Sequence, residues 1–378
     1  MMKWFFKYGF VVLLFNTILY SIPITMHTIA PVIFYCLMVC SIILLSINPN
    51  IFREIVLHKS FFFLLSISLI NLIYFMFFDL HHQESLEYLL ARFIQFSILS
   101  LSVYYNYDYF KKDFPDLLVK IVAFIVVFGL ILDPFIFNDR YHGIIWNPNM
   151  LASITVFAFS YLLIKKSSNS YMDYFLLILF FIIAISTGSR IVIIGIGLSF
   201  IFKFGFSLRN LIYFIFALVL MMFAVSANLE TSLNRISSQS IFNDRTLQFE
   251  IALENINNKL YVGHGLDSYS GKVNIELGDE YDGLIMSAHN GYLSLFIQYG
   301  IIFGSLILFI FLKKSISVVY FFKEGDEYLN FYLFIVIYTL IASNFESLIT
   351  GINEFHTILF WFSLSYLSYS KFIKENES

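Results

Sequence analysis

Three basic residues in the second half of the sequence have side chains suited to anion binding and proton transfer: Arg190, Arg245 and His289. A guanidinium group makes bidentate hydrogen bonds to phosphate oxygens. Arg190 directly precedes an apolar run, where the free N–H groups at the start of a helix also favour an anion. The imidazole of His289 can accept a proton from a hydroxyl group near neutral pH. The two arginines are therefore candidate anion-binding residues, and His289 is a candidate general base.

Each of these residues also has a structural interpretation, which the sequence leaves open. Arg190 can extend to lipid headgroups or cap a turn, and Arg245 can be a solvated surface side chain. His289 and Asn290 stand just ahead of an apolar run, so either side chain can satisfy free N–H groups at a helix start.

Four further residues are candidates for supporting roles: Arg140, Asn147, Asn149 and Asn290. Arg140 lies in a short connector between apolar runs, where the same argument from phosphate binding applies more weakly. Asn147 is a predicted helix N-cap, because Pro148 follows it at the first helical position.

Motifs for nucleotide or metal chemistry are missing from the sequence. It has no glycine-rich phosphate loop, no Ser-His-Asp order, no HExxH motif and no paired-carboxylate signature. His81, His82 and Glu84 form a small cluster without a fourth ligand, and Cys36 and Cys40 are predicted to be small apolar side chains. The sequence predicts neither a metal nor a cofactor, so the energy for any reaction must come with the substrate.

The composition identifies the elements that position these residues. Hydrophobic residues make up 59% of the chain and charged residues only 13%, whereas soluble domains have about 25% charged residues. This excludes a cytosolic enzyme, a secreted disulfide-rich domain and a nucleic-acid-binding protein. The prediction is an all-α polytopic membrane protein, with residues 1–378 forming a single integral membrane domain.

Apolar runs predict about twelve transmembrane helices of about 20 residues each. Residues 171–206 are too long for one span and are interrupted by Thr187-Gly188-Ser189-Arg190, so a tight helical hairpin is expected there. The predicted spans are 4–22, 29–47, 60–78, 86–105, 117–137, 146–164, 171–187, 190–206, 208–226, 290–312, 328–345 and 355–370.

The distribution of Lys and Arg predicts that both termini are cytoplasmic. In this orientation the short connectors on the outer side carry only Arg140 and Arg190. Most of the 23 Lys and Arg residues then lie inside, at Lys3, Lys7, Arg53, Lys59, Lys111, Lys112, Lys120, Lys165, Lys166, Lys203, Arg209, Lys313, Lys314, Lys323, Lys371 and Lys374.

One long connector, residues 227–288, is therefore predicted to be a large extracytoplasmic loop. Within it, the spacing of Leu247, Ile251 and Ile256 predicts an amphipathic helix near 244–259 that lies along the membrane face.

Arg92 is predicted to lie mid-span, away from the ends of its helix. A charge there costs about 2.5 kcal/mol or more, so its side chain must face the interior of the bundle or a partner. The carboxylates of Glu87, Asp133 and Glu346 are the candidate partners for a structural ion pair.

The order of several short motifs resembles the O-antigen polymerase and O-antigen ligase superfamily. The resemblance covers about residues 140–312 by motif and the whole chain by span count and loop placement. The motifs are Asn147-Pro148-Asn149, Thr187-Gly188-Ser189-Arg190, Arg245 at the head of a loop helix, Val262-Gly263-His264-Gly265-Leu266-Asp267-Ser268-Tyr269, Ala288-His289-Asn290 with Tyr292-Leu293, and Gly300-Ile301.

The resemblance implies a glycosyltransferase of the bacterial cytoplasmic membrane that moves a glycan from undecaprenyl diphosphate to an acceptor hydroxyl at the outer face. It implies that Arg190 and Arg245 bind the lipid diphosphate and that His289 assists the attack. The sequence departs from many relatives at Ala288, where they have proline, and at 258–260, where a proline often precedes the Gly-x-Gly turn.

The leading functional prediction is a polymerase of lipid-linked oligosaccharide repeat units that makes an O-antigen or capsule, without a metal or cofactor. Its expected partners are the lipid-linked glycan, membrane lipids, and chain-length regulator and flippase proteins. A ligase that transfers polysaccharide to lipid A core is the alternative. A lipid-linked oligosaccharide flippase is less favoured, because it predicts two related halves and a polar central path. A non-catalytic scaffold of an export machine is a third class.

Overall fold

The computed structural model describes residues 2–137, 140–165, 170–205, 243–271, 287–322 and 327–377, together with 207, 209–210, 212 and 215. Within these residues every regular element is helical. The helices are α1 (Met2–Leu19), α2 (Ile29–Ile47), α3 (Pro49–Val56), α4 (Phe62–Tyr74), α5 (Gln83–Leu132), α6 (Pro148–Ile164), α7 (Tyr171–Ser186), α8 (Ile191–Phe204), α9 (Asn243–Asn258), α10 (Gly291–Phe321), α11 (Glu327–Ala342) and α12 (Phe355–Glu377). A π-helical turn, Phe75–Asp79, extends α4, and a 3-10 helix spans Leu266–Gly271.

The apolar helices make the chain a multi-pass membrane protein. Five helical segments are long and apolar enough to cross a bilayer: Met2–Leu19, Ile29–Ile47, Phe62–Asp79, Gln83–Leu132 and Gly291–Phe321. Among the described residues there are also shorter apolar helices, such as α6, α7 and α8. The predicted count of about twelve spans includes 208–226, most of which lies outside the described residues, as do 227–242 and 272–286 of the predicted long loop.

α5 contains both the span predicted at 86–105 and most of the one predicted at 117–137. Its 50 residues would measure about 75 Å if straight, far more than the about 30 Å of a bilayer core. The backbone leaves the helical conformation at Asn106, with φ −130° and ψ 33°, and the chain turns back there. The predicted spans left residues 106–116 as a connector. In the structure Asn106 is the only non-helical residue of α5, so the rest of that connector is helical.

α10 is interrupted at Gly300, whose φ of 66° and ψ of −178° are not helical. The turn at 259–265 fills this break, and the N–H of His264 donates to the carbonyl of Ile297 at 2.8 Å. Gly263 and Gly300 cross so closely that a Cβ atom on Gly263 would lie 2.4 Å from the backbone nitrogen of Gly300. The loop therefore supplies partners for backbone groups that the interrupted helix leaves open, as irregular backbone at membrane depth requires.

α12 lies at the centre of the bundle, and residues 355–368 are all buried. Its aromatic side chains pack against neighbouring helices, and the rings of Phe10 and Phe362 stack with centroids 3.9 Å apart. The hydroxyls of Ser363 and Ser365 donate to carbonyls four residues earlier on the same helix. Because α12 contacts protein and little lipid, it tolerates polar residues that a lipid-facing helix excludes.

Lysines gather at the end of the bundle where α5 turns back at Asn106. The ammonium of Lys7 lies 3.9 Å from the ring centroid of Tyr109, and Lys165 Nζ lies 3.3 Å from Asp116 Oδ1. We call this the lysine end, and we call the opposite end, where α10 begins, the cleft end.

Candidate functional site

A polar cleft of about 290 Å³ opens at the cleft end of the bundle. It lies between the starts of α6, α8 and α10, the 3-10 helix, and the connector of residues 343–354 that joins α11 to α12. The described residues contain no group of three or more His, Cys, Asp or Glu side chains placed to hold a metal ion. The cleft is lined by Ser21, Asn147, Asn149, Met150, Ser153, Ile191, Ser270, Ser287, His289, Glu346, Ser347, Leu348, Asn353, Glu354, Phe355 and His356.

His289 stands at the head of α10 and faces a carboxylate. Its Nδ1 lies 3.2 Å from Glu346 Oε2, and its backbone has a φ of 41°, a left-handed conformation that non-glycine residues rarely adopt. An ionised carboxylate only accepts hydrogen bonds, so the pair places the imidazole proton on Nδ1 and leaves Nε2 as the basic nitrogen. This is the arrangement that a general base requires.

Asn290, the neighbour of His289, is the N-cap of α10. Its side-chain oxygen accepts from the backbone N–H groups of Tyr292 and Leu293, both at 3.0 Å, and its amide donates to the carbonyl of Asn344. Of the two structural alternatives at this position, Asn290 therefore satisfies the helix start, and the side chain of His289 faces Glu346.

A chain of hydrogen bonds leads from Glu346 towards the start of α8. The amide of Asn149 donates to Glu346 Oε1 at 3.0 Å and its oxygen accepts from Arg140 Nη2 at 2.7 Å. Arg140 Nε then donates to the carbonyl of Thr187 at 3.2 Å. The chain links the His289–Glu346 pair to the Thr187–Arg190 turn. The supporting roles predicted for Asn149 and Arg140 stay predictions.

Arg190 occupies the N-cap position of α8, and the next residue, Ile191, lines the cleft. Asn147 is the N-cap of α6, where its oxygen accepts from the backbone N–H of Asn149 at 2.9 Å. Arg245 lies in the first turn of α9, but its side chain is outside the described residues. The predicted diphosphate-binding roles of Arg190 and Arg245 stay predictions.

α9 lies where the loop helix was predicted, at Asn243–Asn258 instead of 244–259. Ala252 and Ile256 on one face of α9 pack against Leu293 and Ile297 of α10. Phe249, on the other face, is 48% exposed. The helix therefore lies along the part of α10 that begins just after His289.

Side chains of α5 donate hydrogen bonds to the backbone of the connector 343–354. Arg92 donates to the carbonyls of Thr350 and Gly351, the latter at 2.8 Å, and Gln95 donates to the carbonyl of Ile352 at 2.9 Å. The ion pair predicted for Arg92 was wrong, since among the described residues its guanidinium donates to these carbonyls and to the hydroxyl of Tyr88. Its predicted orientation was right, because Arg92 is only 3% exposed.

A second carboxylate, Glu354, lines the cleft at the far end of the same connector. Ser270 Oγ donates to its Oε1 at 2.7 Å, and Thr357 Oγ1 donates to its Oε2 at 3.0 Å. Burial, followed by the negative charge of Glu354, raises the pKa of the nearby Tyr269 hydroxyl. Sequence reasoning missed Glu354 and assigned Glu346 to the wrong partner. The available signal was the placement of two acids in one short connector between apolar spans.

The fold and the cleft define a multi-pass membrane protein with a histidine–carboxylate pair in a polar cleft between apolar helices. Residues 175–310 match the model of a family described as O-antigen ligase, so the chain contains an O-antigen ligase family domain over these residues. The match runs from α7 into α10 and includes Arg190, α9 and His289. Members of this family are ligases or polymerases that transfer lipid-linked glycans in surface polysaccharide synthesis. No curated protein compared with the chain matches it.

Proposed function

We propose that this protein polymerises undecaprenyl-diphosphate-linked oligosaccharide repeat units into a surface polysaccharide, an O-antigen or a capsule, at the outer face of the cytoplasmic membrane. The observation that supports this most is the 3.2 Å contact between His289 Nδ1 and Glu346 Oε2 in the cleft. A carboxylate that fixes the tautomer of an imidazole makes the other ring nitrogen a positioned base.

In the proposed reaction, His289 Nε2 takes the proton of an acceptor sugar hydroxyl as its oxygen attacks the anomeric carbon of the donor. The new glycosidic bond forms while the bond between that carbon and the diphosphate oxygen breaks. Undecaprenyl diphosphate leaves with the bonding electron pair. Arg190 and Arg245 neutralise the charge that develops on it, which lowers the barrier without a proton transfer to the leaving group.

The proposed orientation has both termini in the cytoplasm and the cleft end outside. The clustering of Lys7 and Lys165 at the lysine end supports it, because cytoplasmic segments carry an excess of basic residues. The cleft then meets lipid-linked repeat units on the outer side, where chain-length regulator proteins are also expected to act.

The test is complementation of a deletion strain, read on a glycan gel. His289→Ala should reduce polymer at least about a hundredfold, since general base catalysis contributes about that much or more. Glu346→Gln, which keeps the shape but loses the charge, should reduce it about tenfold. His27→Ala is the matched control, because His27 is an exposed histidine of the same end and does not line the cleft. Normal polymer from His289→Ala would reject the mechanism.

The same gel separates the polymerase from the ligase. Loss of a polymerase leaves single repeat units on the acceptor, whereas loss of a ligase leaves the acceptor bare and long polymer on the lipid carrier. A bare acceptor in the deletion strain would therefore reject the polymerase and favour the ligase.

A further inference from the structure

Arg140 is not among the residues that line the cleft, yet hydrogen bonds connect it to the proposed base. Its Nε donates to the carbonyl of Thr187 at 3.2 Å, and its Nη2 donates to Asn149 Oδ1 at 2.7 Å. The N–H of the next residue, Tyr141, donates to the carbonyl of Ser186 at 3.0 Å. Both carbonyls lie at the C-terminal end of α7, where the helix dipole favours a cation. The guanidinium of Arg140 is therefore held in place by protein groups.

Arg140 fixes the direction in which the side-chain amide of Asn149 points. A guanidinium donates hydrogen bonds and accepts none, so the atom of Asn149 that it contacts is the amide oxygen. The amide nitrogen of Asn149 then faces Glu346 Oε1 and donates to it at 3.0 Å. A hydrogen bond from a charged donor to the amide oxygen also polarises the N–H groups of the same amide. Arg140 thus makes Asn149 a better donor to Glu346.

The contact with Asn149 divides the two oxygens of Glu346 between two partners. Oε1 accepts from Asn149, and Oε2 lies 3.2 Å from His289 Nδ1. Asn149 is in the first turn of α6 and His289 directly precedes α10, so two separate elements hold the carboxylate. The Glu346 side chain is only 15% exposed. A carboxylate held at one oxygen presents the other oxygen in one position, so the contact with His289 depends on Asn149.

We propose that Arg140 is a positioning residue for the glycan transfer, which acts through Asn149 on the carboxylate of Glu346. The carboxylate then holds the proton of His289 on Nδ1 and leaves Nε2 unprotonated, because the hydrogen bond at one ring nitrogen decides the state of the other. This inference rests on the proposed function. It gives Arg140 a role different from the phosphate binding that its sequence position suggests, since its side chain acts on protein groups instead of the substrate.

Three variants interrupt this chain of hydrogen bonds at different points. Arg140→Met removes the guanidinium and keeps an unbranched side chain. Asn149→Leu removes the amide without adding a charge, whereas Asn149→Asp keeps an acceptor for Arg140 but cannot donate to Glu346 when it is ionised. Asn344→Asp is the matched control for the added charge, because Asn344 is an exposed residue of the connector 343–354 that does not line the cleft.

The first measurement locates the proton on the imidazole of His289. Purified full-length protein with ¹⁵N-labelled histidine is studied by NMR in nanodiscs, at about pH 8, above the usual titration range of imidazole. Protonated and unprotonated ring nitrogens give separate signals, and His289→Gln identifies those of His289. Wild type and Asn344→Asp should carry the proton on Nδ1. The population with the proton on Nε2 should rise in Arg140→Met and in both Asn149 variants.

The second measurement asks whether Arg140 acts through Glu346, with polymer from the complemented deletion strain as the readout. Arg140→Met should reduce polymer about tenfold, the loss expected for one charge-assisted hydrogen bond. Arg140→Met combined with Glu346→Gln should reduce it no further than Glu346→Gln alone, because both substitutions break the same chain. Arg140→Lys should restore part of the polymer, since an ammonium group can still donate to Asn149 Oδ1.

Three results would overturn the positioning role. These are a proton on Nε2 of His289 in wild type, an unchanged proton position in all three variants, and losses from Arg140→Met and Glu346→Gln that multiply to about a hundredfold. The last result is expected of an arginine that binds the diphosphate separately. Elution volume and melting temperature show which variants are folded, and the two Asn149 variants of opposite design guard against the misfolding of one.

The proton position and the polymer yield test different proposals. Full polymer from His289→Ala, together with a shifted proton in Arg140→Met, would reject the mechanism and retain the positioning role. Loss of polymer from His289→Ala with an unchanged proton in all three variants would retain the mechanism and reject the positioning role.

Discussion

Arg92 Nη2 donates a hydrogen bond to the carbonyl oxygen of Thr350, which joins the middle of a membrane helix to an irregular connector. Arg92 lies nine residues into α5, which places this contact about 13 Å along the helix from its first residue. The connector 343–354 therefore descends into the bundle, and its residues 348–352 are buried. Irregular backbone is stable at such depth only when protein satisfies its polar groups, and Arg92 does so here.

Replacement of Arg92 should loosen the connector that carries Glu346. We expect Arg92→Gln to lower stability by about 2 kcal/mol, since hydrogen bonds from a charged donor are worth about 1.5 to 3 kcal/mol. Gln95→Ala removes one neutral hydrogen bond to the carbonyl of Ile352 and should cost about 1 kcal/mol. Thermal unfolding in detergent measures both. Equal effects of the two substitutions would argue against the role of the guanidinium.

The crossing of Gly263 and Gly300 should tolerate no side chain. A Cβ atom on Gly300 would lie 2.5 Å from backbone atoms of Tyr261, and backbone cannot move as a side chain can. We expect Gly300→Ala to cost about 2 to 3 kcal/mol from overpacking, in addition to the strain of its positive φ. Thermal unfolding measures the loss.

Gly205→Ala is the control for this prediction. Gly205 has a φ of 78° and a ψ of 164°, close to the conformation of Gly300, but a Cβ atom there would meet none of the described residues within 4 Å. The substitution carries the backbone strain alone. If the Gly205→Ala and Gly300→Ala proteins unfold at the same temperature, the close backbone contact at Gly300 adds nothing to the destabilisation.

Arg190→Lys should leave the protein strongly impaired. The ammonium group keeps the charge but loses the paired N–H donors that match a diphosphate. We expect at least about a tenfold reduction of long polymer on the glycan gel, equivalent to about 1.4 kcal/mol. Arg53→Lys is the control, because Arg53 is an exposed residue of α3. A normal chain-length distribution in Arg190→Lys would count against diphosphate binding.

His264 should make stability depend on pH. Burial lowers its pKa below the ordinary value of 6.5, and Lys259 acts in the same direction, whereas the hydrogen bond to Asn255 and the charge of Asp267 oppose the shift. The unfolded chain thus binds a proton at a higher pH than the folded protein. The contribution of neutral His264 to the free energy of unfolding is fully present above about pH 6.5, and it falls as the pH drops below that value.

The measurement compares melting temperatures of wild type and His264→Gln between about pH 7.5 and 5.5. Glutamine retains an N–H donor for the carbonyl of Asn255, which His264 Nε2 contacts at 2.9 Å, and it does not titrate in this range. The variant should lose less stability than wild type on acidification. Identical pH profiles would contradict the assignment.

Hydropathy predicted most of the long apolar helices that the structure describes. α2 was predicted at 29–47 and is observed at Ile29–Ile47, because a lipid-facing helix needs an unbroken apolar run. The resemblance to the O-antigen polymerase and ligase superfamily is confirmed for residues 175–310. Short motifs at helix starts, such as Asn147-Pro148, also lie where capping rules predicted them.

The irregular parts could not be predicted, because each depends on residues far apart in sequence. The break at Gly300 is stable only because the turn around Gly263 occupies it. Glu346 meets His289 only after the connector 343–354 has folded into the bundle, where Arg92 holds it. A single sequence shows which residue types are present. Which of these residues contact one another depends on how the helices pack.

The interruption at Gly300 divides α10 into two helical segments with different roles. The 21 residues from Ile301 to Phe321 measure about 31 Å, enough to cross the hydrocarbon layer without help. The insertion machinery can therefore recognise a complete span that begins twelve residues after His289. In a thicker or thinner bilayer, the second segment can change its length or tilt. The first segment can then keep His289 in contact with Glu346.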